Sequence, residues 1–254
     1  EPLEVNLKLL INKIKQNAED GRQTLGLVFD GDGDRIAAID EKGRYCNTQL
    51  LMPLFIDHLV RVRNLPGCIV KTVSGSDLIT DLADDLGREI IEMPVGFKFI
   101  AREMFSRKVL VGGEESGGVG FGCHLPERDA LFAALTLLEA IVEGGKPLGE
   151  RIEGLQMLYG ESYFERIDLT LKNMQMRERL QCFLENSPPA YIGNMQVLEV
   201  LSIDGIKLRL AKRHWLMFRF SGTEPLLRIY CEAQSKEMAL DTLNLARELV
   251  ERND

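Results

Sequence analysis

The sequence lacks an excess of basic residues, and it lacks an apolar run long enough to cross a membrane. Its 31 lysines and arginines are outnumbered by 39 aspartates and glutamates, which gives a net charge of −8 at pH 7. An acidic chain has no general attraction for nucleic acid or for anionic lipid. The stretch 131–142 is apolar but contains Glu139, whereas a spanning helix needs about 20 apolar residues. We therefore expect no nucleic-acid partner and no membrane partner, while an anionic small substrate stays open.

Cysteine pairs at metal-binding or redox spacing are also missing. The five cysteines are odd in number, are scattered and include no Cys-x-x-Cys: Cys46, Cys68, Cys123, Cys182 and Cys231. This usage is typical of reduced thiols and argues against a disulfide framework. The sequence therefore predicts a cytoplasmic protein. A chain of 254 residues is long enough for a large core and more than one domain.

The most informative stretch is Asp30-Gly-Asp-Gly-Asp-Arg35, which we call the acidic turn (residues 30–35). Short apolar runs at 25–29 and 36–39 flank it and predict strands. Three carboxylates in one turn oppose one another's ionisation unless a cation lies among them. Glycine at positions 31 and 33 is expected to permit turn conformations that a side chain would block. A site with so few protein oxygens suits Mg²⁺, and the candidate ligands are Asp30, Asp32 and Asp34.

Two other interpretations fit parts of the acidic turn. An EF-hand loop also begins Asp-x-Asp-x-Asp, but its sixth position must be glycine and here is Arg35. The predicted flanks are strands and not helices, so we reject the EF-hand. A solvated hairpin turn is the simpler alternative, because Asp-Gly is a common turn signal. Three carboxylates beside one arginine favour the metal site over an ordinary turn.

Residues 45–155 alternate short apolar strands with amphipathic helices. Helical spacing begins at residue 48, strands are predicted at 68–73, 89–93 and 109–112, and further helices at 77–86, 97–105 and 129–142. This alternation is typical of a parallel α/β sheet with helices on both faces, which binds ligands beyond the carboxyl ends of its strands. His58 lies on the apolar face of the first helix, where we expect a core histidine whose polar atoms are satisfied.

Residues 156–254 follow a different pattern. Strands are predicted near 162–171, 196–203, 206–210, 214–220 and 226–233, with one helix near 174–184 and a closing amphipathic helix that Ser235 caps. Asp204-Gly205 is a strong hairpin signal. We expect a small α+β domain with an antiparallel sheet. Residues 1–44 hold too few elements for a domain, so we expect them to be the tail of another α/β domain.

Several further loops carry polar groups that are ambiguous one by one. The serine loop (residues 219–225) has the sequence Arg-Phe-Ser-Gly-Thr-Glu-Pro. It offers hydroxyls, a glycine expected to let backbone amides converge, and arginines at its rims. These features fit a phosphate site, but they also fit an ordinary turn. The glutamate loop (residues 113–116, Gly-Glu-Glu-Ser) could bind sugar hydroxyls. Other candidates are Lys98 at a helix start, and His124 and Arg128 before the last helix of the α/β region.

Taken together and in this order, the motifs resemble those of the α-D-phosphohexomutase family. Four signatures match: the acidic turn, the Gly-Phe-Lys98 segment, the glutamate loop and the serine loop. The resemblance implies that Asp30, Asp32 and Asp34 bind Mg²⁺, that Arg35 lies beside the reacting phosphate, and that Lys98 is a general acid or base. It implies sugar and phosphate contacts from Glu114, Ser116, His124, Arg128, Arg219, Ser221, Gly222, Thr223 and Arg228.

The reaction implied is reversible movement of a phosphoryl group between O1 and O6 of a hexose. It passes through a hexose 1,6-bisphosphate, which serves as intermediate and activator, and the protein is expected to be a monomer or weak dimer. The second glutamate of the glutamate loop favours glucose phosphates. Phosphomannomutase or phosphoglucosamine mutase is the alternative.

One family signature is missing from the sequence. The family carries its phosphoryl group on a serine of a Thr-Ala-Ser-His-Asn-Pro type loop, and this chain has no such stretch. We therefore expect an inactive fragment, formed by the end of domain two (1–44), domain three (45–155) and domain four (156–254), with weak or absent Mg²⁺ binding. A noncatalytic phosphosugar-binding protein and a metal-dependent phosphatase are rivals from other classes.

Overall fold

The structure, a computed structural model, describes residues 2–253, so Glu1 and Asp254 at the outer ends of the predicted domains lie outside the described residues. Contacts divide the chain into two compact units, which we call the N-terminal unit (up to Gly160) and the C-terminal unit (from Glu161). The further boundary predicted after residue 44 stays a prediction. No helix among the described residues is long and apolar enough to span a bilayer.

The N-terminal unit begins with a small antiparallel sheet that carries the acidic turn. A 3₁₀ turn (Glu4–Asn6) and α1 (Lys8–Glu19) precede β1 (Gly26–Phe29), β2 (Ile36–Ile39) and β3 (Tyr45–Cys46), which pair in that order. Phe29 pairs with Ile36 at the end of the β1–β2 hairpin. The acidic turn is therefore the loop of a hairpin, flanked by the strands that the sequence predicts.

The rest of this unit is the α/β region. Its elements are α2 (Thr48–Asp57), β4 (Cys68–Thr72), α3 (Asp77–Asp85), β5 (Ile90–Met93), α4 (Phe97–Ser106), β6 (Val109–Gly113), β7 (Val119–Phe121), α5 (Ala130–Gly144) and α6 (Leu148–Tyr159). The sheet order is β5-β4-β6-β7, with β5, β4 and β6 parallel and β7 antiparallel to β6. The predicted parallel α/β sheet is confirmed, and β7 extends it.

Alternate residues of the parallel strands face opposite layers of the core. Ile69 and Val111 pack in the large cluster that α2, α3 and α5 supply, while Val70 packs with Ile100 of α4 in a smaller cluster. Both faces of the sheet are therefore covered by helices, as the continuous apolar runs of its strands require. The carboxyl ends of β4 and β6 lead directly into polar loops.

The helix predicted from residue 48 is interrupted. Regular α-helix ends at Asp57, and a π-helical turn (His58–Val62) follows, in which the backbone N–H of Arg63 donates to the carbonyl of His58 at 3.1 Å. His58 is fully buried, as expected. Within residues 2–253, however, its ring nitrogens make no hydrogen bond, and Oε1 of Glu139 lies 3.6 Å from Nε2, so the expected burial is confirmed but the expected hydrogen-bond partners are not present there.

The C-terminal unit is an antiparallel sheet covered by helices. Its elements are β8 (Tyr163–Thr170), α7 (Met174–Asn186), β9 (Tyr191–Ile192), β10 (Met195–Gln196), β11 (Glu199–Leu201), β12 (Ile206–Ala211), β13 (His214–Phe220), β14 (Leu226–Ala233) and α8 (Lys236–Arg252). The main sheet has the order β11-β12-β13-β14-β8, and β9 pairs with β10. The α+β pattern is confirmed, although the strand predicted at 196–203 is split between β10 and β11.

Candidate active site

The acidic turn folds around its own first carboxylate. Oδ1 of Asp30 accepts hydrogen bonds from the backbone N–H groups of Asp34 (3.1 Å) and Arg35 (3.2 Å), and Oδ2 accepts one from Nε of Arg35 (2.7 Å). Burial acts to raise the pKa of Asp30, but these donors outweigh it, so the pKa lies below its ordinary value. Asp30 is therefore held as a carboxylate by the backbone that follows it.

The two glycines of the acidic turn differ in whether the backbone conformation requires glycine. Gly33 has φ = +72°, a left-handed conformation that favours glycine. Gly31 has no such φ, and a Cβ there would meet no atom of the described residues within 4 Å. The expectation that both positions require glycine is therefore wrong for Gly31.

Asp34 has an oxygen that a cation could satisfy. Its Oδ2 pairs with Nη2 of Arg128 at 2.7 Å, while Oδ1 is buried, makes no hydrogen bond to any described residue and lies 3.7 Å from Nε of Arg35. Burial raises the pKa of Asp34, against the opposing effect of Arg128. A buried carboxylate oxygen without a donor suits a hard cation.

The three aspartates do not converge on one point. Asp32 is exposed in the turn. Among residues 2–253, only one group of three ligand side chains has its ligand atoms within 4.8 Å of one another, and none of these aspartates belongs to it. The donor set of Asp30, Asp32 and Asp34 suits Mg²⁺ chemically, and their role as its ligands stays a prediction.

The glutamate loop leads from β6 towards β7, and the two glycines that follow it contact the acidic turn and β2 through the backbone. The N–H of Ile36 donates to the carbonyl of Gly117 at 2.9 Å, and Arg35 forms an isolated β-bridge with Gly118. Gly117 has φ = +113°, and a Cβ there would lie 3.0 Å from the carbonyl oxygen of Ile36. This close approach requires glycine. Two predicted site loops therefore meet.

The guanidinium of Arg128 connects the acidic turn and the glutamate loop through side-chain contacts. Glu114 is only 6% exposed, and its Oε1 accepts hydrogen bonds from the Ser116 hydroxyl (2.9 Å) and from Nη1 of Arg128 (3.3 Å). Burial raises the pKa of Glu114, although Ser116 and Arg128 act to lower it. Because Nη2 of Arg128 pairs with Asp34, Arg128 bridges the acidic turn and the glutamate loop.

The segment before α5 positions His124. Oδ1 of Asp129 accepts the N–H of Phe132 at 2.8 Å and so caps α5, while its Oδ2 lies 2.9 Å from Nε2 of His124. The His124 ring stacks on Phe132 at a centroid distance of 4.3 Å. The N–H of Phe132 is the main cause that lowers the pKa of Asp129. The backbone N–H of Ala130 also donates to the carbonyl of Gly33 at 3.2 Å, which ties α5 to the acidic turn.

Lys98 is exposed in the first turn of α4. Its Nζ lies 5.0 Å from the centroid of the Phe99 ring. The adjacent Phe97 is buried, and the centroid of its ring lies 5.6 Å from the guanidinium carbon of Arg128. The start of α4 is therefore next to the bridging arginine, and an acid or base role for Lys98 stays a prediction.

Three further residues at this corner were not among the predicted site residues. Oε2 of Glu115 accepts hydrogen bonds from the hydroxyls of Ser74 (2.6 Å) and Thr72 (3.2 Å). Both hydroxyls lie at the carboxyl end of β4. That position was a usable signal, because parallel sheets bind ligands at this edge.

In the C-terminal unit, the serine loop connects β13 to β14. Oγ of Ser221 accepts long hydrogen bonds from the N–H groups of Thr223 (3.4 Å) and Glu224 (3.3 Å). Gly222 has an ordinary φ, and a Cβ there would meet no described atom within 4 Å. The N–H groups thus converge on the Ser221 hydroxyl, without steric need for glycine at position 222. Thr223 is exposed.

Two predicted arginines face each other beside this loop. Arg219 of β13 pairs in register with Arg228 of β14, and like charges directly opposite repel. Nε of Arg219 donates to Asp204 at 2.9 Å. Burial acts to lower the pKa of Arg219, but Asp204 holds it above its ordinary value. Nε of Arg228 lies 3.7 Å from Asp168, is buried and makes no hydrogen bond in the described part of the chain, so the pair suits an oxyanion.

Arg177 of α7 is a third arginine at the serine loop, and no motif in the sequence indicates it. Its Nε donates to the carbonyl of Ser221 at 2.8 Å, and its guanidinium lies 5.9 Å from the Phe220 ring centroid. A lone arginine on a polar helix is usually solvated, so the sequence gives no signal for this contact.

Comparison with known families accounts for this combination of folds and loops. Residues 47–159 match the family model described as phosphoglucomutase/phosphomannomutase, alpha/beta/alpha domain III, and residues 172–247 match the model for the C-terminal domain of the same family. The chain belongs to the phosphoglucomutase/phosphomannomutase family, within the α-D-phosphohexomutases.

Curated relatives match nearly all of the chain. A phosphoglucomutase/phosphomannomutase of Thermococcus kodakarensis is 30% identical over 251 residues, 99% of this chain and 51% of that protein. A phosphoglucosamine mutase of Methanocaldococcus jannaschii is 30% identical over 98% of this chain and 53% of that protein. The chain thus spans about half the length of the curated relatives it matches.

Solved structures agree on the fold. A Thermus thermophilus protein described as a phosphomannomutase superposes with a TM-score of 0.81 at 30% identity, over 99% of this chain and 51% of that one. An Aspergillus fumigatus N-acetylphosphoglucosamine mutase, solved with GlcNAc-6P and magnesium, has a TM-score of 0.60 at 17% identity, over 95% and 53%. A variant of the same enzyme in complex with glucose 1,6-bisphosphate gives 0.61 at 18% identity, over 94% and 52%.

Proposed function

We propose that the full-length protein is a phosphohexose mutase that interconverts hexose 1-phosphate and hexose 6-phosphate through a hexose 1,6-bisphosphate. The observation that carries this proposal is Arg128, which pairs with Asp34 at 2.7 Å and with Glu114 at 3.3 Å. A candidate metal loop and a candidate sugar loop are thereby held side by side in one compact unit. Named relatives are phosphomutases, which supports the reaction class.

Asp30, Asp32 and Asp34 would hold Mg²⁺, and the buried, donor-free Oδ1 of Asp34 supports this assignment. When bound, the ion supplies positive charge that neutralises the transferring phosphoryl group. Arg35, braced by Asp30, presents a second positive charge at the same turn. The A. fumigatus complex with magnesium is a precedent in the same fold.

Glu114 and Ser116 would bind the sugar hydroxyls. In the structure Ser116 donates to Glu114, and Arg128 donates to the same oxygen of Glu114, so these polar atoms are already oriented before a ligand arrives. His124 is held by the α5 cap and Arg128 by two carboxylates, and both would add contacts to the sugar phosphate. Lys98 would move the proton of the attacking or leaving hydroxyl.

The serine loop would bind the phosphate that is not being transferred. Arg219 and Arg228 stand opposite each other, and Nε of Arg228 makes no hydrogen bond. Ser221 and Thr223 offer hydroxyls, and the Ser221 hydroxyl is held in place by the N–H groups of Thr223 and Glu224. Binding the remote phosphate fixes the orientation of the hexose during transfer.

We propose glucose phosphates as the preferred substrates, because Glu115 is the second glutamate of the loop and is fixed by Ser74 and Thr72. The alternatives are mannose and glucosamine phosphates, which the names of relatives favour. We also propose that the protein is a monomer or weak dimer in the cytoplasm. This chain alone should not catalyse turnover, because it lacks the phosphoserine loop of the family.

A coupled assay of the full-length protein tests the function. Glucose, mannose and glucosamine 1-phosphates are supplied separately with Mg²⁺ and trace hexose 1,6-bisphosphate. We expect conversion to the 6-phosphates, with the highest kcat/KM for glucose 1-phosphate and no conversion by the 254-residue chain. Binding without conversion would identify a phosphosugar-binding protein, and release of inorganic phosphate would identify a phosphatase.

A further inference from the structure

His58 is an unexplained polar group in the core of the N-terminal unit. Its side chain has no solvent exposure, yet neither ring nitrogen makes a hydrogen bond among the described residues. A buried polar group without a partner is unfavourable, so natural proteins retain few of them unless an ion or water satisfies the group. The proposed mutase chemistry makes no use of this residue.

Two glutamates of α5 face the imidazole. Glu139 and Glu143 are one helical turn apart, and one carboxylate oxygen of each and one nitrogen of His58 lie within 4.8 Å of one another. Nε2 of His58 lies 3.6 Å from Oε1 of Glu139, which is too long for a hydrogen bond. It is close to the separation of about 3.3 Å that two ligands have on a tetrahedral ion bound at about 2.05 Å.

The charges at this cluster also suit a divalent cation. The two carboxylates carry two negative charges, one of which Arg63 offsets, because its Nη1 donates to the other oxygen of Glu139 at 3.5 Å. This arginine therefore leaves Oε1 of Glu139 available on the side of His58. Glu143 is exposed, so an ion could enter from solvent. The ligand positions come from the end of α2 and from α5, which pack together in the same unit.

We propose that His58, Glu139 and Glu143 bind a first-row transition metal ion, with Zn²⁺ as the expected occupant. Imidazole nitrogen and carboxylate oxygen are both zinc ligands, and three protein ligands leave a fourth position for water, whereas Mg²⁺ and Ca²⁺ prefer oxygen alone. The ion satisfies a buried nitrogen and ties α5 to the end of α2. Zn²⁺ binding is therefore expected to raise the Tm of the N-terminal unit.

The test is Zn²⁺ titration of the 254-residue chain against a chromophoric chelator, with Mg²⁺ in large excess to occupy the acidic turn. The variant Glu143→Gln removes an exposed ligand without disturbing the core. Its matched control is Glu150→Gln, at an exposed glutamate of α6 outside the cluster. Glu139→Gln is the second variant, and Co²⁺ absorption reports the ligand type and geometry.

We expect one Zn²⁺ per chain at the cluster, with affinity at least about tenfold weaker in Glu143→Gln and Glu139→Gln and unchanged in Glu150→Gln. Bound Co²⁺ should show the intense visible bands of a tetrahedral site without a thiolate charge-transfer band. Equal Zn²⁺ affinity in Glu143→Gln and Glu150→Gln would overturn the proposal. So would a thiolate band, which would place the ion on the exposed Cys123 or Cys182.

Discussion

The acidic turn and the serine loop are both turns between paired strands, but their charges are balanced in different ways. In the N-terminal unit, Arg35 and Arg128 each contact carboxylates at short distance, and the neighbouring glutamate loop adds a buried Glu114. In the C-terminal unit, Arg219 and Arg228 stand opposite each other on paired strands, and each has a single carboxylate nearby, Asp204 at 2.9 Å and Asp168 at 3.7 Å.

This difference separates two roles of charge in one chain. Where opposite charges pair within a partly buried corner, they brace the loops, and removing one leaves buried partners uncompensated. Where like charges face each other and each has one carboxylate nearby, their repulsion offsets part of the stabilisation from those carboxylates, and the arginines keep their attraction for an anion. Substitutions should therefore act mainly on folding in the first region and mainly on ligand binding in the second.

The largest expected effect is at a glycine. In Gly117→Ala, the new Cβ would lie 3.0 Å from the carbonyl of Ile36 and 3.1 Å from Cβ of Arg35, at φ = +113°. We expect a loss of about 3 kcal/mol in the free energy of unfolding, measured with urea. The matched change Gly222→Ala meets open space in the serine loop and should alter stability by less than about 0.5 kcal/mol. Equal losses at both positions would contradict the comparison.

Next in size is Arg128→Met. The change removes the guanidinium that pairs with both the buried Glu114 and the partly buried Asp34. The Arg128 side chain is 29% exposed. Because the site is between surface and core, we expect a loss of about 2 kcal/mol, seen as a lower Tm of the N-terminal unit. Arg102→Met, at an exposed position of α4, is the control and should leave the Tm nearly unchanged.

A smaller effect is expected at the serine loop, and on binding instead of folding. Arg219→Lys keeps the charge but removes the bidentate fork, so affinity for glucose 6-phosphate should fall about tenfold in calorimetric titration. Arg247→Lys on the exposed side of α8 is the matched control and should leave affinity unchanged. If Arg219→Lys lowered the Tm as much as Arg128→Met, the two regions would not differ as argued.

Much of this comparison could be predicted from the sequence, because its motifs are local. The acidic turn lies between two short apolar runs that form β1 and β2, and the serine loop lies between the runs that form β13 and β14. The alternation that predicts the parallel sheet is equally local. β7 was missed because a strand of only three residues with glycine at its centre has little pattern to detect.

What the sequence could not provide is the pairing of distant side chains. Nothing near Arg128 indicates that it meets both Asp34 and Glu114, and nothing near Arg177 indicates the carbonyl of Ser221. The unpartnered nitrogens of His58 follow from the π-helical turn and from packing against α5, which helical spacing alone does not reveal. Such contacts depend on tertiary packing, which overrides local pattern.

The smallest expected effects concern pH, and here the two units should respond in opposite directions. Burial raises the pKa of Glu114, so the folded N-terminal unit binds a proton more readily than the unfolded chain and loses stability as pH rises above about 4.5. Burial lowers the pKa of His214 in the C-terminal unit, so stability is lost as pH falls below about 6.5. Urea unfolding across this range should therefore show pH dependence that changes in opposite directions in Glu114→Gln and His214→Gln, each compared with the parent chain. A variant whose pH dependence matches that of the parent chain would mean that burial does not control that group.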